Sequence, residues 1–251
     1  MSGKPRGPGK RMRALKADLH IHTARSGDSD ISAWDVIEQA RTKGLDVVGV
    51  TDHNTTMGAL ETRKLAAKEH PGLIVLIGQE VRTKSGEIIV FGLEENLPKK
   101  QPPVDTCEMA KKHGGFIVVP HPFDPIRQGL CRKIRQIHAY IDAVEVLNSK
   151  SIWKRFNKKA RDFAESHRLP MVAGSDAHIP QYIGACYTII ETDKSKPDET
   201  DVYSAIRAGR TVCSGNVVGL RGAGLRARMK KVLRKINRKQ NKDTTSHQHS
   251  Q

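Results

Sequence analysis

The sequence predicts an α/β fold with a parallel sheet, and three observations lead to this prediction. Apolar, β-branched segments alternate along the chain with amphipathic helical segments, which is typical of repeated strand–helix units. Some strands, such as Ile117–Val119, are apolar without interruption, as strands covered on both faces are. The Gly-rich turn that follows the first strand of a nucleotide-binding doubly wound sheet is missing from the sequence. We therefore favour a barrel over an open, doubly wound sheet.

The predicted elements follow one another in this alternating order. The predicted strands are Leu15–His22, Asp46–His53, Leu73–Val81, Phe116–Pro122, Ala143–Asn148, Met171–His178 and Cys186–Glu191. The predicted helices are Ala33–Lys43, Met57–His70, Val104–His113, Lys154–His167 and Asp201–Arg207. Residues Gly86–Leu93 are predicted to form an additional hairpin arm, because Ser85 and Gly86 offer a turn after the third strand.

Composition argues against two other classes of protein. No run of about 18 apolar residues is present, so the sequence predicts no transmembrane segment. The four cysteines are far apart and form no CxxC pair. This spacing favours reduced thiols in a cytoplasmic protein over a disulfide framework or a zinc ribbon.

The excess positive charge lies near the two ends of the chain. The sequence has 43 Lys and Arg against 27 Asp and Glu; residues 1–16 hold six cations and residues 220–242 hold ten, with no acid in either segment. We therefore expect a basic, flexible tail at residues 1–15, a catalytic barrel at 16–218, and a basic helix with a disordered polar end at 219–251. Three roles are open for the C-terminal segment: docking on the barrel, binding RNA or DNA phosphates, or adsorbing to an anionic membrane. Its lack of Trp and Phe weakens the membrane alternative.

Residues that can bind metal ions lie at the ends of six consecutive predicted strands. In strand order they are Asp18, His20 and His22; Asp52 and His53; Glu80; His121; Glu145 and Asn148; Asp176 and His178. The strand ends of a β/α barrel converge on one face, where the active sites of such barrels are built. Imidazole and carboxylate ligands without thiolates suit Mn²⁺, Zn²⁺ or Fe²⁺, and their number indicates two or three ions. By contrast, His70, His113 and His167 each end a predicted helix at the opposite face, so we expect them to be structural.

These motifs resemble those of the PHP (polymerase and histidinol phosphatase) family. The resemblance covers roughly residues 16–215 and rests on Asp18–Thr23, Thr51–His53, Gly78–Glu80, His121–Pro122, Glu145–Asn148 and Ser175–His178. It implies a distorted (β/α)7 TIM-like barrel with parallel strands that holds two or three divalent ions and hydrolyses phosphate esters.

The resemblance also implies how the ligands are shared. His20, His22, Glu80 and Asp176 would hold one ion, Glu80 and His121 a second, and Asp28, His53 and His178 a third. Asn148 stands where many family members have a further histidine ligand, so it is a candidate for the second ion. Asp28 follows Ser26 and Gly27 in an unusual order, which leaves Asp30 as a competitor.

The expected reaction is hydrolysis of a phosphate mono- or diester of a nucleotide or nucleic-acid end. The candidates for catalytic roles are His178, Asp176, Asp52 and Arg127: His178 or Asp176 would protonate the leaving group, and Arg127 would bind phosphate. Arg25, Lys84 and Lys150 are further candidates for phosphate binding. Asp52, like Asp18, neighbours a ligand and is expected mainly to orient it.

Three alternative functions remain open at this point. The first is a histidinol-phosphatase-like small-molecule phosphatase. The second is an amidohydrolase-like C–N hydrolase, although such barrels usually have a bridging lysine where this chain has Glu80. The third is a non-catalytic RNA-binding subunit with a PHP-like barrel, which would lack the metal ligands that are present here.

Overall fold

The structure is a computed structural model that describes residues 12–219. Most of both basic terminal segments, residues 1–11 and 220–251 with most of the predicted C-terminal helix, lies outside the described residues. The strands are β1 (Arg13–Ile21), β2 (Val47–Val50), β3 (Ile74–Thr83), β4 (Gly86–Phe91), β5 (Phe116–Val119), β6 (Ala143–Asn148), β7 (Met171–Gly174), β8 (Cys186–Thr192) and β9 (Thr211–Gly215). The α-helices are α1 (Ala33–Lys43), α2 (Met57–Glu69), α3 (Pro103–Lys112), α4 (Lys154–Ser166) and α5 (Glu199–Arg207).

These strands form one sheet that curls into a nearly closed barrel, which confirms the predicted fold class. The strand order is β7-β6-β5-β4-β3-β2-β1-β8-β9. The barrel narrows to a seam where β7 meets β1: the Asp176 N–H donates to the His20 carbonyl over 2.7 Å, and Ile21 pairs with Ala177 in parallel. The ends of the first and sixth predicted strands therefore lie side by side.

The sheet differs from the prediction in having antiparallel strands. Gly86–Phe91 is not an appended arm, because β4 is inserted between β3 and β5 and pairs antiparallel with both. The turn at Lys84 and Ser85 is too short for the crossover that a parallel strand needs. At the other edge, β8 pairs antiparallel with β1, and β9 with β8.

Two boundaries of the barrel also differ from the prediction. Arg13 pairs with Thr192, so β1 begins inside the segment that was expected to be a flexible tail. The strand β9 was not predicted, because its sequence has one strongly apolar residue, Val212, and therefore no pattern of a buried strand. In the structure Val212 is 61% exposed. All four cysteines are free thiols, as predicted. Among the described residues, no helix is both long enough and apolar enough to cross a membrane.

Candidate metal centre

A β-bulge directs His20 and His22 into the mouth of the barrel. In a regular strand Leu19 and Ile21 would share a face, but Leu19 packs in the inner hydrophobic cluster and Ile21 in an outer one. The pairing of β1 with β2 shifts register between Asp18 and Ile21. Such a bulge reverses the alternation of side chains and re-aims them. Both histidines consequently reach the same interior as the inner core.

The His20–His22 pair and Glu80 form the middle of the site. The Nε2 atoms of His20 and His22 are 3.0 Å apart. They lie 3.5 Å and 3.3 Å, respectively, from the carboxylate oxygens of Glu80. All three side chains are buried. Two imidazole nitrogens and a carboxylate oxygen at this separation can bind one ion.

Asp28, His53 and His178 form a second group beside His22. His53 Nε2 is 3.4 Å from Asp28 Oδ2, and His178 Nε2 is 3.6 Å from Asp28 Oδ1. The ring of His22 lies 4.6 Å from that of His53 and 4.4 Å from that of His178, measured between centroids. Asp28 therefore supplies the carboxylate of this group, in the position for which Asp30 was the competitor.

Glu80 lies between these histidines and His121. One oxygen of Glu80 is 3.1 Å from His121 Nε2, and the other is 2.9 Å from His53 Nδ1. A carboxylate with separate imidazoles at its two oxygens has the geometry of a bridging ligand. This is the role that the family resemblance implied for Glu80.

Two further carboxylates lie in the site: Glu87, which was not predicted, and Glu145, which was predicted as a residue able to bind metal but was assigned to no ion. Glu87 Oε1 lies 3.6 Å from His53 Nδ1, and Glu145 Oε1 lies 3.0 Å from His20 Nδ1. Each belongs to one of the groups of side chains that could hold an ion. Glu87 is the one acid within the otherwise apolar strand β4, and this was the signal in the sequence that could have revealed it.

Asp176 connects the histidines to two buried cations. Its carboxylate accepts hydrogen bonds from Arg127 Nη2 and, over 3.2 Å, from Lys150 Nζ. Asp176 Oδ1 is also 3.5 Å from His22 Nε2. Arg127 and Lys150 are only 15% and 10% exposed, so their charge acts on the site rather than on solvent. Of the other cations predicted to bind phosphate, Arg25 forms an ion pair with Glu61, and Lys84 is exposed.

Asn148 lies beside the ligands rather than among them. Its Oδ1 accepts hydrogen bonds from Arg127 Nη1 at 3.2 Å and from the Lys150 N–H at 2.9 Å. Its Nδ2 donates to Asp176 Oδ2 at 3.1 Å and to Glu145 Oε2 at 2.9 Å. The oxygen that would bind an ion is therefore engaged with the Arg127 guanidinium and the Lys150 backbone, and the amide nitrogen holds the carboxylates of Asp176 and Glu145 in place.

Asp52 acts on the site through Ser26. Its carboxylate accepts hydrogen bonds from the Thr23 N–H at 2.6 Å and from Ser26 Oγ at 3.0 Å. Ser26 Oγ is in turn 2.9 Å from His22 Nδ1. With its proton on Nδ1, His22 presents the lone pair of Nε2 to the middle of the site. Asp52 is thus a positioning residue, and nothing in this geometry supports a direct part in proton transfer.

The backbone is strained at two site residues. His121 and Asp176 have φ values of 29° and 53°, in the left-handed region. A residue other than glycine costs about 1–3 kcal/mol there, and such residues cluster at functional sites. These backbone conformations direct the side chains of His121 and Asp176 into the cluster, and the surrounding fold offsets their cost.

The buried carboxylates attract positive charge to the middle of the site. Burial alone would lower the pKa of His20, but Asp176 and Glu145 raise it well above its usual value. Burial lowers the pKa of His22 well below its usual value, and the neighbouring His178 lowers it further. His22 is therefore neutral at pH 7 and can act as a ligand, while the carboxylates around His20 attract a cation.

The donor set fits divalent metal ions. Asp28 Oδ1 and His53 Nδ1 are buried without a well-aligned hydrogen-bond partner among the described residues. Buried polar atoms are rarely left in this state unless an ion or water binds them. The candidate groups at residues 12–219 consist of imidazoles and carboxylates only, which are donors that Mn²⁺, Zn²⁺ and Fe²⁺ accept.

Known proteins of similar sequence indicate the family to which the chain belongs. The profile of the PHP-associated family matches residues 154–211. An uncharacterized protein of Methanocaldococcus jannaschii is 41% identical over 145 residues, which are 54% of this chain and 82% of that protein. A phosphoribosyl 1,2-cyclic phosphate 1,2-diphosphodiesterase of Eggerthella lenta is 36% identical over 87 residues, which are 32% of each chain.

Solved structures share the barrel. A two-domain protein from Bacteroides vulgatus, containing a predicted PHP-like metal-dependent phosphoesterase, matches with a TM-score of 0.68 at 20% identity, over 85% of this chain and 70% of that one. A lesion-specific endonuclease from Pyrococcus furiosus matches with a TM-score of 0.64 at 20% identity, over 81% of this chain and 59% of that one. The fold, the family profile and the archaeal relative together show that the chain belongs to the PHP domain family.

Proposed function

We propose that this chain is a metal-dependent phosphoesterase that hydrolyses a phosphate mono- or diester of a nucleotide or nucleic-acid end. The observation that carries the proposal is the pair of buried cations, Arg127 and Lys150, on Asp176 in the middle of the histidine–carboxylate cluster. A set of metal ligands alone would serve many hydrolases. Two cations directed at the same point select an anionic substrate.

The relatives support the same class of reaction. The Eggerthella relative is named as a diphosphodiesterase, and the Pyrococcus neighbour is an endonuclease. Both names describe cleavage of phosphate esters. An amidohydrolase-like C–N hydrolase is less well supported, because two buried cations would not help to bind a neutral amide.

The ligands would be those that the geometry brings together: His20, His22, Asp28, His53, Glu80, His121, Asp176 and His178. When bound, the ions would supply an activated water at neutral pH and neutralise charge on the phosphate. Arg127 Nη and Lys150 Nζ would bind phosphate oxygens and orient the ester relative to that water.

Lys150 is the best-placed proton donor to the leaving group. Burial alone would raise the pKa of Asp176, but Arg127 and Lys150 lower it well below its usual value. Burial, together with Lys150, lowers the pKa of His178. Neither expected donor therefore holds a proton at pH 7. Burial and the neighbouring Arg127 lower the pKa of Lys150 to about 8, so its ammonium group keeps a proton that it can release.

A substrate panel tests the proposal. Purified protein with Mn²⁺ would be assayed on aryl phosphate mono- and diesters, nucleoside monophosphates, oligonucleotides, histidinol phosphate and simple amides. We expect phosphate-ester hydrolysis that EDTA abolishes and added Mn²⁺ restores. Hydrolysis of histidinol phosphate in preference to nucleotides would favour the small-molecule phosphatase. Amide hydrolysis without ester hydrolysis would overturn the proposal.

A further inference from the structure

A cationic surface within the barrel adjoins the proposed site. Residues 125–141 and 146–161 together hold ten Lys and Arg and no Asp or Glu. The first segment follows β5, and the second covers the end of β6, the loop after it and the first half of α4. Arg127 and Lys150 of these segments contact the site directly. The positive charge of the chain is therefore not confined to its ends, although the net charge of the barrel is close to neutral.

An exposed aromatic residue, Trp153, lies on this surface. It lies in the loop between β6 and α4, three residues after Lys150, and its side chain is 46% exposed. The guanidinium of Arg155 lies 4.4 Å from the centroid of the indole ring. The buried Phe156 supports the indole in edge-on contact, with centroids 5.4 Å apart. A supported, exposed indole next to a cation offers a face on which a nucleobase can stack.

Two lysines in the first half of α4, the helix that begins after Trp153, are free to meet an anionic partner. Lys154 and Lys159 are exposed on the first turns of α4, and neither forms an ion pair with another described residue. Some other surface cations do form such pairs, such as Arg25 with Glu61 and, within α4 itself, Lys158 with Asp162. Unpaired lysines beside an exposed aromatic ring are typical of a surface that binds a phosphate backbone.

The basic C-terminal segment starts at the same loop. The backbone N–H groups of Val218 and Gly219 donate to the carbonyl of Ser149 over 2.7 Å and 3.0 Å. Ser149 immediately precedes Lys150 in the loop that carries Trp153. The ten cations of residues 220–242 therefore follow directly from the edge of the site. The last described residue, Gly219, thus lies next to the loop that carries Lys150 and Trp153.

We infer that this surface binds a single strand of nucleic acid and leads it into the site. Trp153 would stack on a base, and Lys154, Arg155 and Lys159 would contact phosphates. A single strand is favoured because its bases are free to stack on the indole, whereas those of a duplex are paired and enclosed. The inference rests on the proposed function, because it names the substrate class of the same site.

The first test isolates the indole. Binding of a fluorescein-labelled single-stranded oligonucleotide to the full chain would be measured by anisotropy in EDTA, so that hydrolysis plays no part. Trp153→Ala should weaken binding about tenfold, and Trp153→Phe should retain most of the affinity. The matched control is Trp34→Ala: Trp34 is 47% exposed but has Asp30, Asp35 and Glu38 nearby in sequence. Equal losses in the two alanine variants would overturn the inference.

The second test isolates the charges. Lys154→Ala combined with Lys159→Ala should reduce the slope of log Kd against log salt by about 1.4, as expected for two phosphate contacts on a single strand. The control removes two exposed lysines from α2, by Lys64→Ala with Lys68→Ala, and should leave the slope unchanged. A slope that changes equally in both double variants would contradict the assigned surface.

Two further probes identify the partner. Heparin is a polyanion without bases, so Trp153→Ala should not weaken its binding; a tenfold loss there would overturn stacking. DNA and RNA of the same sequence would be compared, and the tighter ligand identifies the nucleic acid. If neither binds while aryl phosphates are still hydrolysed, the inference fails and the proposed function stands.

Discussion

Histidines occupy both ends of this barrel, and the two sets differ in their surroundings. At the carboxyl ends of the strands, His20, His22 and His121 are buried among carboxylates. At the opposite end, His70, His113 and His167 follow the last residues of α2, α3 and α4, and none of the three is buried. The comparison shows that burial with carboxylates, rather than histidine itself, marks the proposed metal centre. It also supplies control variants within the same chain.

The largest expected effect separates the two sets directly. His20→Ala combined with His22→Ala should lower kcat/KM for phosphate release about 10³-fold or more, because both ligands in the middle of the site are lost. His70→Ala combined with His113→Ala should leave kcat/KM nearly unchanged. Urea unfolding would check that both proteins are folded. Similar losses of activity in the two folded variants would break the comparison.

The next effect concerns the proton donor. Because Lys150 has a pKa of about 8, kcat should fall as pH rises through 8 and Lys150 loses its proton. Lys150→Arg keeps the positive charge but cannot release a proton near pH 8. We therefore expect a loss of about 10²-fold for a nucleotide, whose alkoxide leaving group needs protonation.

The choice of substrate provides the control for Lys150. p-Nitrophenyl phosphate has a leaving group that departs without a proton, so Lys150→Arg should affect it much less. A pH–rate profile of both substrates with both proteins measures the difference. Equal losses on the two substrates would assign Lys150 to phosphate binding alone.

A smaller effect is expected at Asp52. Asp52→Asn should weaken Mn²⁺ binding about 10-fold to 100-fold, because Ser26 would no longer hold His22 with its Nε2 lone pair toward the site. Titration calorimetry measures this directly. Asp162→Asn, an exposed change in α4, is the control. Unchanged Mn²⁺ affinity in Asp52→Asn would remove Asp52 from the account.

The smallest effect concerns a helix cap away from the cluster. Ser32 caps α1 and forms a capping box with Asp35. Ser32→Ala should lower the free energy of unfolding by about 1 kcal/mol. Urea denaturation measures this change, and kcat/KM should be unaltered. A loss of activity in the folded variant would show that α1 takes part in the site.

Most of the site could be predicted because its residues interrupt apolar strands at their ends. His20, His53 and Asp176 each lie near the end of a predicted strand. Because strand ends converge on one face of a barrel, these residues were expected to lie close together. Glu87 escaped the prediction because it lies at the start of β4, an antiparallel strand that was expected to be an additional hairpin arm. Its position shows that this inserted strand also contributes to the site.

The features that could not be predicted depend on long-range pairing. The bulge that re-aims His20 and His22 arises where β1 pairs with β2, and no local property of β1 reveals it. The insertion of β4 into the sheet depends on its contacts with β5. The meeting of Gly219 with Ser149 likewise follows from the closed barrel, and it is the feature that joins the basic C-terminal segment to the site.

The amount of metal that the chain retains shows whether the histidine–carboxylate cluster binds ions. The full chain would be loaded with Mn²⁺, freed of excess metal and measured by mass spectrometry of its metal content. We expect two or three ions in the wild-type chain and in the His70→Ala, His113→Ala variant, and at least one fewer in the His20→Ala, His22→Ala variant. No retained ion in the wild-type chain, or the same number in all three proteins, would contradict this expectation.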